Sequence, residues 1–136
     1  PERLELEGAG SYAEYLDTYA RIDIALDPFP YTGGTTTAES LWMGVPVVTL
    51  KGDRFIAHQG ESLLHAAGLS EMIAADKEAY VQLALNFAAD RPALAAMRAG
   101  LRARVAASAL FDAPRYARAR ETAWHGVWAE GCARQR

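Results

Sequence analysis

Hydrophobic and polar positions change period several times along the chain. Leu4 and Leu6 alternate with Glu5 and Glu7 before Gly8 and Gly10, a period of two that predicts a short strand running into a loop. From Ser11 the period lengthens. Tyr12, Leu16, Tyr19 and Ala20 form an apolar stripe at helical spacing, with Ser11 as N-cap and Glu14 three residues on. Ile22-Asp23-Ile24-Ala25-Leu26 follows as a strand buried on both faces and ended by Asp27-Pro28. A loop from Pro28 to Gly34 leads to a predicted helix over Thr36–Met43, stopped by Gly44 with Pro46 beyond it. Val45–Leu50 reads as a strand turned by Lys51-Gly52-Asp53, Gly60–Ala67 as a helix stopped by Gly68, and Met72–Ala74 as an edge strand. Helical periodicity then holds over Lys77–Ala89, Pro92–Ala107 and Pro114–Gly131, with Pro92 and Pro114 in first-turn positions.

Strands alternating with helices predict a parallel sheet, because parallel neighbours need a crossover between them. The fold class is therefore α/β: a small sheet, half of a doubly wound lobe, followed by a helical C-terminal tail. On the last helix Trp124 and Trp128 share a face with Tyr116, Ala119, Ala123 and Val127, a stripe that predicts packing against the lobe or against a part of the protein not included in this chain.

Composition narrows the function. The chain has 136 residues, is 51% hydrophobic, and begins at Pro1 rather than methionine, so it is expected to be part of a longer polypeptide. No apolar run is long enough to span a bilayer and no signal-peptide pattern opens the chain, so the expectation is a cytoplasmic protein without a membrane partner. Cys132 is the sole cysteine, and His58, His65 and His125 have no His or Cys at ligand spacing; no metal is expected. Charge is uneven: residues 1–90 carry five Lys/Arg against fourteen Asp/Glu, and residues 91–136 nine Arg against three acids. The arginines of the tail alternate with alanines at helical spacing and lack an aromatic stacking platform, so they read as solvated helix faces and not as a nucleic-acid surface.

The informative stretch runs Asp27-Pro28-Phe29-Pro30-Tyr31-Thr32-Gly33-Gly34-Thr35-Thr36-Thr37-Ala38-Glu39-Ser40, from a strand's carboxyl end to a helix's amino end. Open parallel sheets place ligands at that edge. Gly33 and Gly34 let a phosphate approach the backbone, and the N–H groups and dipole at the helix start near Thr35 and Thr36 favour negative charge. Glu39, one turn on, is placed to accept from two vicinal hydroxyls such as those of a ribose. Diphosphate and ribose together describe a nucleotide. The stretch is neither a P-loop nor a Gly-x-Gly-x-x-Gly fingerprint. A second account fits the same spacing: Thr36-x-x-Glu39 is a capping-box pattern, in which both side chains only satisfy the first amides of the helix.

The block from Pro30 to Thr49, reading Pro-Tyr-Thr-Gly-Gly-Thr-Thr-Thr-Ala-Glu-Ser-Leu-Trp-Met-Gly-Val-Pro-Val-Val-Thr, resembles the C-terminal catalytic region of the O-linked N-acetylglucosamine transferase and Spindly family. The resemblance continues through Gly52–Phe55, Gly60–Leu64, Ala67–Leu69 and Tyr80–Ala84. It implies a partial Rossmann-like sheet belonging to the C-terminal lobe of a two-lobed GT-B glycosyltransferase, with 1–108 as the nucleotide-sugar-binding half and 109–136 as a helix packing on it. It implies transfer of N-acetylglucosamine from UDP-N-acetylglucosamine to Ser/Thr hydroxyls of proteins. The alternatives are a Spindly-like O-fucosyl transfer from GDP-fucose and a non-catalytic interaction domain. Further partners implied are an N-terminal lobe of the same polypeptide and upstream tetratricopeptide repeats that present protein acceptors. The family's phosphate contacts fall on Thr35 and Thr36 and its ribose contact on Glu39, while the base is flanked by backbone at Gly10 and Tyr12 and by the ring of Tyr15. Animal transferases have histidine at Gly34 and aspartate at Glu39, so this chain is more similar to Spindly and bacterial members. The family's phosphate-binding lysine lies upstream, so no catalytic residue is expected within this stretch and no cofactor beyond the donor.

Overall fold

Residues 2–134 are described in the computed structural model. In chain order they form α1 (Tyr12–Thr18), β1 (Ala25–Leu26), α2 (Thr35–Trp42), β2 (Val47–Leu50), α3 (Gln59–Ala67), β3 (Ile73–Ala74), α4 (Lys77–Ala89), α5 (Arg91–Ala106) and α6 (Ala113–Arg134). Short 3₁₀ turns at Tyr19–Arg21, Phe55–His58 and Ser70–Met72 join some of them. The three strands lie in the order β1-β2-β3, all parallel, with Ala25 opposite Val47 and Thr49 opposite Ile73. The crossovers that parallel pairing requires are α2 and α3. The architecture is the α/β sheet with a helical tail expected from the alternation of elements.

The central strand explains the core. Val47, Val48 and Thr49 of β2 are all buried, so both faces of this strand are covered. Leu41 of α2, Leu64 and Ala67 of α3, Leu69, Met72, and Leu101 and Val105 of α5 close around Val47. Helices α2 and α3 stop at the glycines that the sequence offers, whereas α6 runs past Gly131 to Arg134. Gly44 and Gly68 adopt positive φ at the ends of α2 and α3, a conformation that side-chain-bearing residues rarely adopt. Asp76, Asp90 and Asp112 each accept an amide from the first turn of the helix that follows.

Two expectations from the periodicity are corrected. No strand forms at Leu4–Leu6; Leu6 is 93% exposed, and Glu5 and Glu7 pair instead with Arg21. Alternation alone does not make a strand unless the segment pairs with a neighbouring edge, and Leu4–Leu6 pairs with none. Ile22–Leu26 narrows to the two residues of β1, and Leu26 is 58% exposed rather than buried on both faces. The reason is topological: β1 lies at the edge of the sheet and pairs only with β2. Helix α6 buries none of its residues, and Trp124 and Trp128 are 61% and 69% exposed.

Candidate functional site

The loop between β1 and α2 is fixed from below by one carboxylate. Asp27, at the carboxyl end of β1, is 4% exposed. Its N–H donates to Val48 O (2.9 Å) and continues the sheet. Its Oδ1 accepts the Gly33 N–H (2.6 Å), its Oδ2 accepts the Thr49 hydroxyl (2.6 Å), and its carbonyl accepts the Tyr80 hydroxyl (3.0 Å). Burial pushes the Asp27 carboxyl above its ordinary range, while the bonds from Thr49 and Gly33 pull it back. Burial, with the Asp27 charge beside it, likewise raises the Tyr80 hydroxyl. Buried Thr32 ties the loop to α3: its hydroxyl donates to Ile56 O (3.1 Å) and accepts the Gly60 N–H (3.1 Å). Gly60 is a glycine because a Cβ there would run into Asp27 Oδ2 and Thr49 Oγ1. Among the described residues no buried side-chain nitrogen or oxygen lacks a partner.

Above this floor, α2 starts one residue earlier than its sequence suggests. Gly34 is the N-cap, no side chain caps the helix, and the first intrahelical bond runs from Ala38 N to Gly34 O (3.2 Å). The N–H groups of Thr35, Thr36 and Thr37 therefore have no carbonyl partner within the helix. Thr35 and Thr36 are exposed, with Thr37 buried beneath them. The capping-box account of Thr36 and Glu39 is excluded, since Glu39 turns away from the start of α2. The chain's capping box lies in α1, where Glu14 N donates to Ser11 Oγ (3.3 Å) and Ser11 N donates to Glu14 Oε2 (2.7 Å). Those bonds, the Ser11 amide foremost, hold the Glu14 carboxyl below its ordinary range.

Glu39 faces α1 instead. Tyr12 donates to its Oε1 (3.1 Å) and Tyr15 to its Oε2 (2.9 Å). Tyr15 and Tyr19 hydroxyls lie 2.6 Å apart, and Tyr19 Oη is 3.4 Å from Thr36 O. Burial first, then the bonds to Tyr19 and Glu39, push the Tyr15 hydroxyl far above its ordinary value, so it stays a donor. The bond to Glu39 raises Tyr12 in the same direction. The residues expected at the base and the one expected at the ribose thus form one constellation. Gly10, Tyr12 and Tyr15 line an open cleft of about 610 Å³, and Gly34 and Thr35 line another of about 480 Å³ with Phe55, His58 and Gln59. Arg54 is exposed, and His58 bonds Glu61 (2.8 Å), which also meets Lys51 (3.1 Å). These contacts, His58 first, lower the Glu61 carboxyl.

The floor was missed in the sequence. Asp27, Thr32, Thr49 and Gly60 read there as a strand end, a loop residue, a strand residue and a helix start. The available signal was an acid interrupting an apolar strand directly before a glycine loop. Gly33 needs refinement too, because its amide points down to Asp27 rather than outward. Among the described residues no group of three His, Cys, Asp or Glu side chains is placed to hold a metal ion, and no helix is long and apolar enough to cross a membrane.

Comparison with known proteins gives concordant matches. The profile of glycosyl transferase family 41 matches residues 10–119. A probable UDP-N-acetylglucosamine–peptide N-acetylglucosaminyltransferase SPINDLY from Oryza sativa subsp. japonica is 42% identical over 119 residues, covering 88% of this chain and 13% of that protein. The UDP-N-acetylglucosamine–peptide N-acetylglucosaminyltransferase of Caenorhabditis elegans is 29% identical over 128 residues, 94% of this chain and 11% of its own. A solved structure of a mutant O-GlcNAc transferase from Thermobaculum terrenum superposes with a TM-score of 0.91 at 38% identity, covering 99% of this chain and 26% of that one.

Proposed function

Because the chain belongs to glycosyl transferase family 41, we propose that it forms the donor-nucleotide half of a protein O-glycosyltransferase, holding the diphosphate and ribose of UDP-N-acetylglucosamine. The chain spans only about an eighth of the rice relative's length, so the acceptor platform and the other lobe belong to the rest of the polypeptide. The observation that carries this reading is the uncapped amino end of α2, which opens at the sheet's carboxyl edge beside the exposed hydroxyls of Thr35 and Thr36. Main-chain donors and hydroxyls there meet a diphosphate without a metal ion. In the reaction, an acceptor Ser or Thr hydroxyl attacks the anomeric carbon as the bond to the nucleotide diphosphate breaks. The amides of Thr35 and Thr36 stabilise the charge that grows on the leaving oxygen. Glu39 accepts from the ribose, and Gly10, Tyr12 and Tyr15 flank the base. The exposed tryptophan face of α6 packs against the remaining polypeptide.

Calorimetric titration of the full-length protein with UDP and with GDP tests the reading. UDP is expected to bind more tightly, and Thr36→Val is expected to weaken it about fivefold without lowering Tm, the size of one lost neutral hydrogen bond. Tighter binding of GDP favours the GDP-fucose reading, and failure of both nucleotides favours an interaction domain. The 136-residue chain alone is expected to show no turnover.

A further inference from the structure

Two phenols donate to one carboxylate at the rim of this site, and a third backs one of them. Tyr12 is 65% exposed, and a hydrogen bond to an exposed group contributes little to folding. Among the described residues no Lys, Arg or His pairs with Glu39, so its charge is met only by neutral donors. Each phenol has one proton. Tyr15 donates its proton to Glu39 Oε2, so in the 2.6 Å contact Tyr19 is the donor to Tyr15, in preference to the more distant Thr36 O at 3.4 Å. The relay Tyr19 to Tyr15 to Glu39 leaves no freedom in the second bond, and buried Tyr19 anchors its far end. A carboxylate offers about four lone-pair directions, two on each oxygen. The tyrosines occupy one on each oxygen from the α1 side, which leaves one on each oxygen for a pair of adjacent hydroxyls.

We propose that Tyr12 and Tyr15 are positioning residues that lock the Glu39 carboxylate in the orientation required by a vicinal diol, making the site selective for ribonucleoside over deoxyribonucleoside diphosphates. The inference rests on the reading of Glu39 as the ribose contact. It gives the two tyrosine hydroxyls a task distinct from flanking the base: their bonds go to Glu39, and only their rings remain to meet a base.

The test is a competition titration of the full-length protein with UDP and 2′-deoxy-UDP, repeated with GDP and its 2′-deoxy analogue. The wild type is expected to prefer the ribonucleotide about tenfold. The double variant Tyr12→Phe/Tyr15→Phe keeps both rings and removes both hydroxyls. Its preference is expected to fall to about twofold, with deoxynucleotide affinity unchanged within about twofold. A purely structural role would lower the affinities of both nucleotides together and leave their ratio intact, which would overturn the proposal. Glu39→Gln separates the two levels. If it abolishes the preference while the tyrosine variant retains it, Glu39 holds the ribose and the positioning role fails. If it leaves the preference intact, or if the wild type binds no nucleotide, the reading of Glu39 fails and the proposal with it.

Discussion

The two sides of the glycine loop are built on opposite principles. Beneath it, Asp27, Thr49, Thr32 and Gly60 are buried, and each polar side chain among them has a partner within the chain. Beside it, Tyr12, Thr35 and Thr36 are exposed and Glu39 only half-buried, with hydrogen-bonding capacity left over. A closed polar floor holds shape because leaving any of its groups unmade costs more than forming the bond gains. An open rim of donors and acceptors contributes little to folding but is free to meet a ligand. The difference is expected to give stability to the floor and affinity to the rim, and substitutions on each side should separate the two.

The largest expected effect is on the floor. Asp27→Ala removes the acceptor of the Gly33 amide and the Thr49 hydroxyl, and two buried groups left unpaired are expected to cost about 2–4 kcal/mol, read by urea unfolding. Gly60→Ala follows at about 1–3 kcal/mol, because the new methyl must displace Asp27 and Thr49 within a packed interior; a gain in Tm would break the comparison. On the rim, Glu39→Gln is expected to change stability by less than about 0.5 kcal/mol yet weaken nucleotide binding about tenfold, or about 1.4 kcal/mol. Equal losses in both measurements would merge the two regions.

The smallest effect is on pH dependence, and it has opposite signs at two carboxylates. The Asp27 carboxyl is raised by burial above the ordinary 3.8, so its contribution favours the fold below that value and is lost as pH rises through its folded value. The Glu61 carboxyl is lowered by His58 and Lys51, so its contribution is present above the ordinary 4.5 and is lost as pH falls through its folded value. As pH rises above about 4, Asp27→Asn should therefore gain relative to the wild type, whereas Glu61→Gln should gain relative to the wild type as pH falls below about 4.5. Urea midpoints measured on both sides of about pH 4 check the two slopes.

The sequence showed its local rules more clearly than its long-range bonds. Gly44, Gly68 and Pro92 mark their helix ends through backbone conformation and first-turn placement, which depend on residues within a turn of each other. The parallel order of β1, β2 and β3 followed from the alternation of strands and helices. The Leu4–Leu6 alternation misled because pairing depends on a neighbour that local pattern does not specify. The rim was legible because the Gly33–Glu39 stretch is contiguous and resembles a known block. The bridge from Tyr15 to Glu39 spans 24 positions and that from Thr49 to Asp27 spans 22, separations over which periodicity carries no information. Tyr15 was identified as a ring near the base, but its hydroxyl partner became visible only when α1 and α2 were placed together.

The bond from Gly33 to Asp27 closes the intervening residues into a ring six positions long. Such a ring tolerates changes of identity at outward positions like Tyr31, whose side chain is exposed, but not a change of length. One residue inserted or deleted between Pro28 and Thr32 would move Gly33 off its acceptor and shift the start of α2 with it. The loop is therefore expected to accept changes of spelling far more readily than changes of residue count.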